Sequence, residues 1–290
     1  MENQTTKENF SGHEDFHSWE NTYFLGIIDS AEELQAPTTN PQYVNVNDSK
    51  SEWNATVQEN NFLITFTLDT GAPINKNDLP KVHAVLGDRE CDLDSAVSAL
   101  AYAYFLYKTH PADDLYVPVL NIQRSEFLLH TEVVFMLQQL NISDSSLIFR
   151  DEIDLHLLNR EGKLTLTLVD HNTLTSDDKV LETAVVKIID HHEQERLHSA
   201  QCEIVLEPVR SCTTLIVSEI LQEAPELLNQ QLTHLFRGAI ILDCMNMTSE
   251  TVRVTKKDEE ILAALEQRFP DLPTQQEVYD TLQQAKFDVS

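Results

Sequence analysis

From Lys81 onward the chain alternates apolar runs of four to seven residues with amphipathic stretches of helical length. That rhythm leaves few folds open. Parallel strands covered on both faces read as near-continuous apolar runs, and each needs a helix to cross back to the next. The runs "VHAVLG", "DLYVPVL", "SLIF", "LTLTLV", "AVVKII" and "EIVLEPV" are the expected strands. Helices are expected over Asp94 to Tyr107, Glu126 to Leu140, Asp151 to Asn159, Cys212 to Gln222, Asn229 to about Leu242, Lys257 to Gln267 and Gln275 to Ala285. The fold class is therefore α/β, with a central, mostly parallel sheet flanked by helices.

The first residues have a different character. Met1 to Asn75 hold twelve Asp and Glu against two Lys and no Arg, among many Asn, Thr and Gln. This predicts an acidic, irregular and poorly ordered N-terminal extension over residues 1–76, followed by one domain over 77–290. Within the extension, "NFLITFTLD" is a candidate edge strand.

Across 290 residues the balance is 20 basic against 48 acidic side chains, a net charge of -28. Nucleic acids and anionic membranes are bound through Lys and Arg, so neither is an expected partner. An anionic small molecule held through metal ions is compatible with that charge. Four cysteines with no CxxC spacing and no charged-then-apolar leader predict a reducing, cytoplasmic setting. No apolar stretch approaches the roughly 20 residues of a membrane span.

Four apolar runs end on Asp. "GDRECDLDS", Gly87 to Ser95, crowds four acidic side chains after one run; "LTLTLVDHN" ends on Asp170 and His171; "VVKIIDHHE" ends on Asp190, His191 and His192; "GAIILDC" ends on Asp243. In a parallel sheet such ends meet at one carboxyl edge, where ligands bind. Crowded carboxylates repel unless something positive sits among them. Hard oxygens with one or two imidazoles suit Mn²⁺, Mg²⁺ or Co²⁺, and several Asp plus His suffice for two ions. No glycine-rich phosphate cradle is present, since both GxxxxGK[ST] and GxGxxG are missing. Asp94 also reads as a cap for the helix that follows it. His156, His198 and His234 stand without evident partners and read as structural, and Cys91 and Cys244 as small buried side chains behind the site.

The stretches "GDRECDLDSAVSALAYAYFL", "FRDEIDLHLLNREGKLTLTLVDHN", "AVVKIIDHHE", "SCTTLIVSEIL", "AIILDCMNM" and "FPDLPTQQEVYDTLQQAKFDVS" resemble the animal Prune proteins of the DHH phosphoesterase superfamily, relatives of exopolyphosphatases and family II inorganic pyrophosphatases. The match runs from about Val82 to Ser290. The resemblance implies a DHH domain whose two metal ions, Mn²⁺ or else Mg²⁺ or Co²⁺, activate a water that cleaves phosphoanhydride bonds of pyrophosphate or short-chain polyphosphate. It implies metal ligands at Asp92, Asp94, Asp170, His191 and Asp243, with Asp170 bridging. His192 would face substrate phosphate, and Asp170, His191 and His192 would be the catalytic set. Asp88, where pyrophosphatases carry a ligand His, becomes a ligand or a close neighbour of one. Arg210 stands at a common Gly. The family continues past "KFDVS" into a second domain that supplies Arg and Lys to the substrate, and on this reading the chain ends before it.

Two alternatives remain open at this level. The same site chemistry would serve cyclic-nucleotide phosphodiester cleavage. The chain could instead be a weakly active or non-catalytic interaction module that keeps the fold and binds protein partners, with its acidic extension toward a basic one.

Overall fold

The computed structural model describes residues 58–60, 63–65, 81–110, 115–195, 199–247 and 254–287. Two short strands, β1 (Gln58–Asn60) and β2 (Leu63–Thr65), pair antiparallel with each other and not with the main sheet. β2 lies within "NFLITFTLD", but it pairs with β1 and not with the main sheet, so among the described residues this stretch is not an edge strand of that sheet. The rest of the expected extension, residues 1–57, 61–62 and 66–76, lies outside the described residues.

The main sheet has five strands: β3 (Val82–Leu86), β4 (Leu115–Val119), β5 (Leu164–Val169), β6 (Val185–Asp190) and β7 (Glu203–Leu206). All are parallel, in the order β4-β3-β5-β6-β7. Burial explains the apolar runs. Ala84, Val85 and Leu86 at the centre are fully covered, so alternation with polar residues is lost there; Leu166 to Val169 beside them are covered too, with the polar Thr167 among them. β7 lies at the sheet edge and is more exposed.

Seven α-helices are described: α1 (Leu93–Thr109), α2 (Thr131–Gln139), α3 (Leu155–Arg160), α4 (Cys212–Glu223), α5 (Gln230–Asp243), α6 (Lys256–Arg268) and α7 (Gln275–Phe287). Every residue of α1 from Leu93 to Leu106 is buried, against β4, α4 and α5 among others. Its Ala and Ser positions explain how a helix can be covered all round, because small side chains let neighbouring elements approach closely. Ser98 Oγ lies 3.3 Å from Thr213 Oγ1 of α4.

Three local expectations are corrected. "SLIF" is not a strand, but a single parallel bridge between Leu120 and Phe149. The expected helix from Glu126 to Leu140 is split: a 3₁₀ turn covers Arg124–Leu129, and α2 starts at Thr131. Arg124 ties that turn to the neighbouring loop, pairing with Glu152 and donating to the carbonyls of Asp144 and Leu147. The same ties shorten α3. Asp151 accepts from Arg124 N and Glu152 binds its side chain, so the helix begins only after Asp154, which caps Leu157 N at 2.8 Å. His156, expected to lack a partner, lies 2.8 Å from Asp178, which also binds Arg150. His198 lies outside the described residues.

Candidate functional site

Strand order reverses between β3 and β5, because the chain steps outward to β4 before returning to the other side. A crevice forms where order reverses at the carboxyl ends of a parallel sheet. There the structure has a cleft of about 350 Å³ lined by Asp88, Asp92, Asp94, Asp170, His191, His192 and Asp243. All seven candidate residues meet in it, from positions up to 155 residues apart in the chain, the span from Asp88 to Asp243. Three of the four Asp-ended runs are strands. The fourth is not, because Asp243 is the last residue of α5 and reaches the cleft from a helix end.

The loop after β3 is built by short bonds. Gly87 sits against Ser95, whose Oγ a Cβ at this position would meet at 2.8 Å, so only glycine leaves room here. Ser95 Oγ accepts from Asp88 N at 2.6 Å, and Asp92 caps α1 by accepting from Ser95 N at 3.0 Å. The cap of α1 is therefore Asp92 rather than Asp94. Asp94, 1% exposed, lies in the first turn of α1 and serves a different helix. Its carboxylate accepts from Ser211 Oγ at 2.7 Å, Cys212 N at 2.6 Å and Thr213 N at 2.8 Å, the amino end of α4. The free N–H groups and dipole of that helix end stabilise the negative charge.

Asp170 follows β5 with φ of 65°, a left-handed conformation that is rare outside glycine and best tolerated by Asn and Asp. Its Oδ1 lies 3.1 Å from His191 Nε2. His191 Nδ1 lies 3.2 Å from the Val209 carbonyl, which can only accept, so Nδ1 carries the proton. In the neutral ring Nε2 then turns a lone pair toward a carboxylate oxygen. Two acceptors face each other, an arrangement that needs a proton or a metal ion between or beside them.

Asp190, fully buried, works differently. Its Oδ1 accepts from His191 N and from His192 N and Nδ1, and its Oδ2 from Asn172 Nδ2. Burial alone would raise this carboxyl, but the bonds from His192 and Asn172 outweigh it and hold its pKa down to about 2. The same bond raises the pKa of His192, which burial and the neighbouring His191 oppose. His192 thus presents Nε2 from a side chain that is 58% exposed. Asp170, Asp190, His191 and His192 each place one ligand atom within 4.8 Å of the others, a grouping that could hold a metal ion. Asp190 accepts from the backbone of His191 and from the backbone and ring of His192, and so positions the His pair.

The remaining carboxylates repel one another. Burial first, then the charge of Asp94, raises Asp92 to about 6, with Ser95 N pulling the other way. Asp170 and Asp243 are pushed well above the ordinary carboxylate range by burial and then by Asp94 and Asp92. Positive charge placed among these groups would favour their charged forms again. The donor set, oxygen-rich with an imidazole whose other nitrogen is anchored on a carbonyl, fits a hard divalent ion. Cys91 and Cys244 are buried beside it, with thiol pKa values raised mainly by burial.

The sequence model described as the DHH family, N-terminal domain, matches residues 83–258. The chain belongs to the DHH family. Among DHH relatives it is 51% identical over 209 residues to Exopolyphosphatase PRUNE1 of Homo sapiens, an alignment covering 72% of this chain and 46% of that one. It is 47% identical over 208 residues to Protein prune homolog 2 of Mus musculus, covering 72% of this chain and 6% of the relative. The chain thus spans about half the length of PRUNE1 and a small fraction of the longer relative. A crystal structure of a Methanococcus jannaschii protein assigned to the family II inorganic pyrophosphatases superposes with a TM-score of 0.53 at 24% identity, over 70% of this DHH chain and 60% of that one. The two share a fold.

Sequence reasoning passed over the residues that hold the candidates in place. Asp190 stands in plain view at the end of β6, yet nothing in the pattern gives it a role. Asp258, fully buried, accepts from Arg210 N, Thr255 N and both Thr hydroxyls of 214 and 255. Thr255 and Asp258 form a capping box at the start of α6, and the T-x-x-D spacing was the available signal.

Proposed function

We propose that this cleft hydrolyses phosphoanhydride bonds of pyrophosphate or short-chain polyphosphate with two divalent cations, Mn²⁺ in the first place. The working unit is residues 77–290, and residues 1–76 form an acidic extension. The observation that carries the reading is the pairing of His191 Nε2 with Asp170 Oδ1 at 3.1 Å inside a cleft of mutually repelling carboxylates. PRUNE1 is named an exopolyphosphatase, which agrees with that chemistry.

Asp92, Asp94, Asp170, His191 and Asp243 would hold the ions, with Asp88 a ligand or a neighbour of one. Bound there, the ions would screen phosphoryl oxygens and make a water acidic enough to attack phosphorus at neutral pH. The chain's own groups supply the rest. Asp190 fixes the ring of His192 through Nδ1, so Nε2 is the atom that meets substrate. The raised pKa of His192 keeps Nε2 protonated further toward neutrality, where it donates to a phosphoryl oxygen and offsets charge on the departing phosphate. The Val209 carbonyl holds the His191 ring in one tautomer and Asp190 holds its backbone N, so no reorganisation is required.

Phosphate release from pyrophosphate and tripolyphosphate, measured with and without Mn²⁺, tests the reading. Mn²⁺-dependent release is the expected result. Mn²⁺ binding with no release from either substrate would favour the non-catalytic interaction module, and release only from a cyclic nucleotide would favour the phosphodiesterase.

Proton linkage gives a second check. The folded pKa of Asp92, about 6, lies above the ordinary 3.8, so the metal-free fold binds an extra proton between these values and loses stability as pH rises through them. A divalent ion must displace that proton at low pH and relieves a full charge at high pH. The rise in Tm caused by Mn²⁺ should therefore be small at about pH 5 and grow through about pH 6 and beyond. Equal rises at about pH 5 and about pH 7.5 would contradict the assignment of Asp92.

A further inference from the structure

The cleft contains eight carboxylates, Asp88, Glu90, Asp92, Asp94, Asp170, Asp190, Glu195 and Asp243, and among its described lining residues Arg210 is the only Lys or Arg. We infer that Arg210 is the chain's own phosphate clamp, binding an oxygen pair of the polyanionic substrate through the Nη1 and Nη2 edge of its guanidinium. The inference rests on the hydrolase reading and names the group that recognises its substrate.

The placement is built from three sides. The backbone N of Arg210 donates to Asp258 Oδ2 at 3.0 Å, and Asp258 is itself locked to Thr255 of the α6 cap and to Thr214 of α4. The root of the side chain is therefore pinned between two helices. The guanidinium Nε donates to the carbonyl of Asp243 at 3.1 Å, which fixes the plane of the group at the cleft wall. Nη1 and Nη2 make no hydrogen bond and no ion pair among the described residues, and the residue is exposed. A guanidinium surrounded by carboxylates usually pairs with one, as Arg124, Arg150 and Arg237 do elsewhere in this chain. Arg210 instead keeps its fork free. Two parallel N–H donors match two oxygens of one phosphoryl group, a geometry that lysine lacks.

Charge supports the same role. Pyrophosphate brings several negative charges into a wall of carboxylates, and two divalent ions are already engaged by those carboxylates. A fixed cation at the cleft wall lowers the cost of entry and orients the end of the substrate it grips. The competing role is local: an arginine on the last carbonyl of α5 also complements that helix end and the charge of Asp243.

Binding of imidodiphosphate, a non-hydrolysable pyrophosphate analogue, separates the two. Calorimetry with saturating Mn²⁺ on wild type, Arg210→Gln and Arg210→Lys should show the Gln variant weaker by about tenfold or more and the Lys variant in between. Mn²⁺ affinity measured alone should stay within about twofold of wild type, and in turnover KM should rise more than kcat falls. Unchanged imidodiphosphate affinity in Arg210→Gln would overturn the inference. So would a loss of Mn²⁺ affinity that accounts for the weakened binding, since Arg210 would then act only through Asp243. Failure of the hydrolase reading has a different signature: a wild type that binds Mn²⁺ and imidodiphosphate yet releases no phosphate from pyrophosphate or tripolyphosphate, whatever the Arg210 comparison gives.

Discussion

Asp170→Asn should lower phosphate release by about a thousandfold or more, yet leave the metal-free protein at least as stable as wild type. Both halves follow from one position. The carboxylate faces His191 Nε2 and is pushed well above its ordinary pKa by burial and by Asp94 and Asp92, so the fold gains nothing from its charge in the absence of cations. Asn has the same shape, tolerates the φ of 65° and removes one member of the repelling set. It also replaces a hard anionic oxygen with a weak neutral one, so cation binding should fail while folding does not. Thermal melts of the metal-free forms at about pH 8, with phosphate release measured in parallel, check both halves. A variant that melts several degrees below wild type would make Asp170 a structural residue.

Asp94→Ala should do the reverse to the fold. Asp94 is an acid in the same motif, but it satisfies Ser211 Oγ and the N–H groups of Cys212 and Thr213 at the buried start of α4. Removing it strands donors that water cannot reach, for an expected cost of about 3 kcal/mol. In a domain of this size that is a fall in Tm of roughly 6–12 °C. Asp94→Asn should lie between, since its amide can accept two of those bonds but turns its own N–H toward the third donor. An Asp94→Ala protein with wild-type Tm would mean that α4 does not depend on this carboxylate. The opposite stability effects of two carboxylates in one cleft are the sharpest expectation of the structure, because a generic acidic patch would gain from losing either.

The centre of the sheet was legible because β3 is buried on both faces and so leaves an unbroken apolar run, Ala84 to Leu86. The meeting of the candidate residues in one cleft was legible because parallel topology brings strand ends together whatever their distance in sequence, which is why the apolar pattern alone groups Asp92, Asp170 and His191. What was not legible depends on partners far away. Nothing near Asp94 indicates that its oxygens serve residues 117 to 119 positions later. Nothing near His156 indicates Asp178, and the break before Thr131 comes from the loop that Arg124 grips rather than from propensity within the helix. Asp243, by contrast, ends an apolar run within the helix expected from Asn229 to about Leu242, and α5 is that helix.

One comparison tests the hydrolytic centre most directly: Mn²⁺-dependent phosphate release from pyrophosphate by wild type and by Asp170→Asn, each assayed with and without a chelator. If the four motifs form one such centre, wild type should release phosphate only with Mn²⁺, and the variant should release almost none at any Mn²⁺ concentration. Release that persists in chelator, or that is equal in the two proteins, would contradict it.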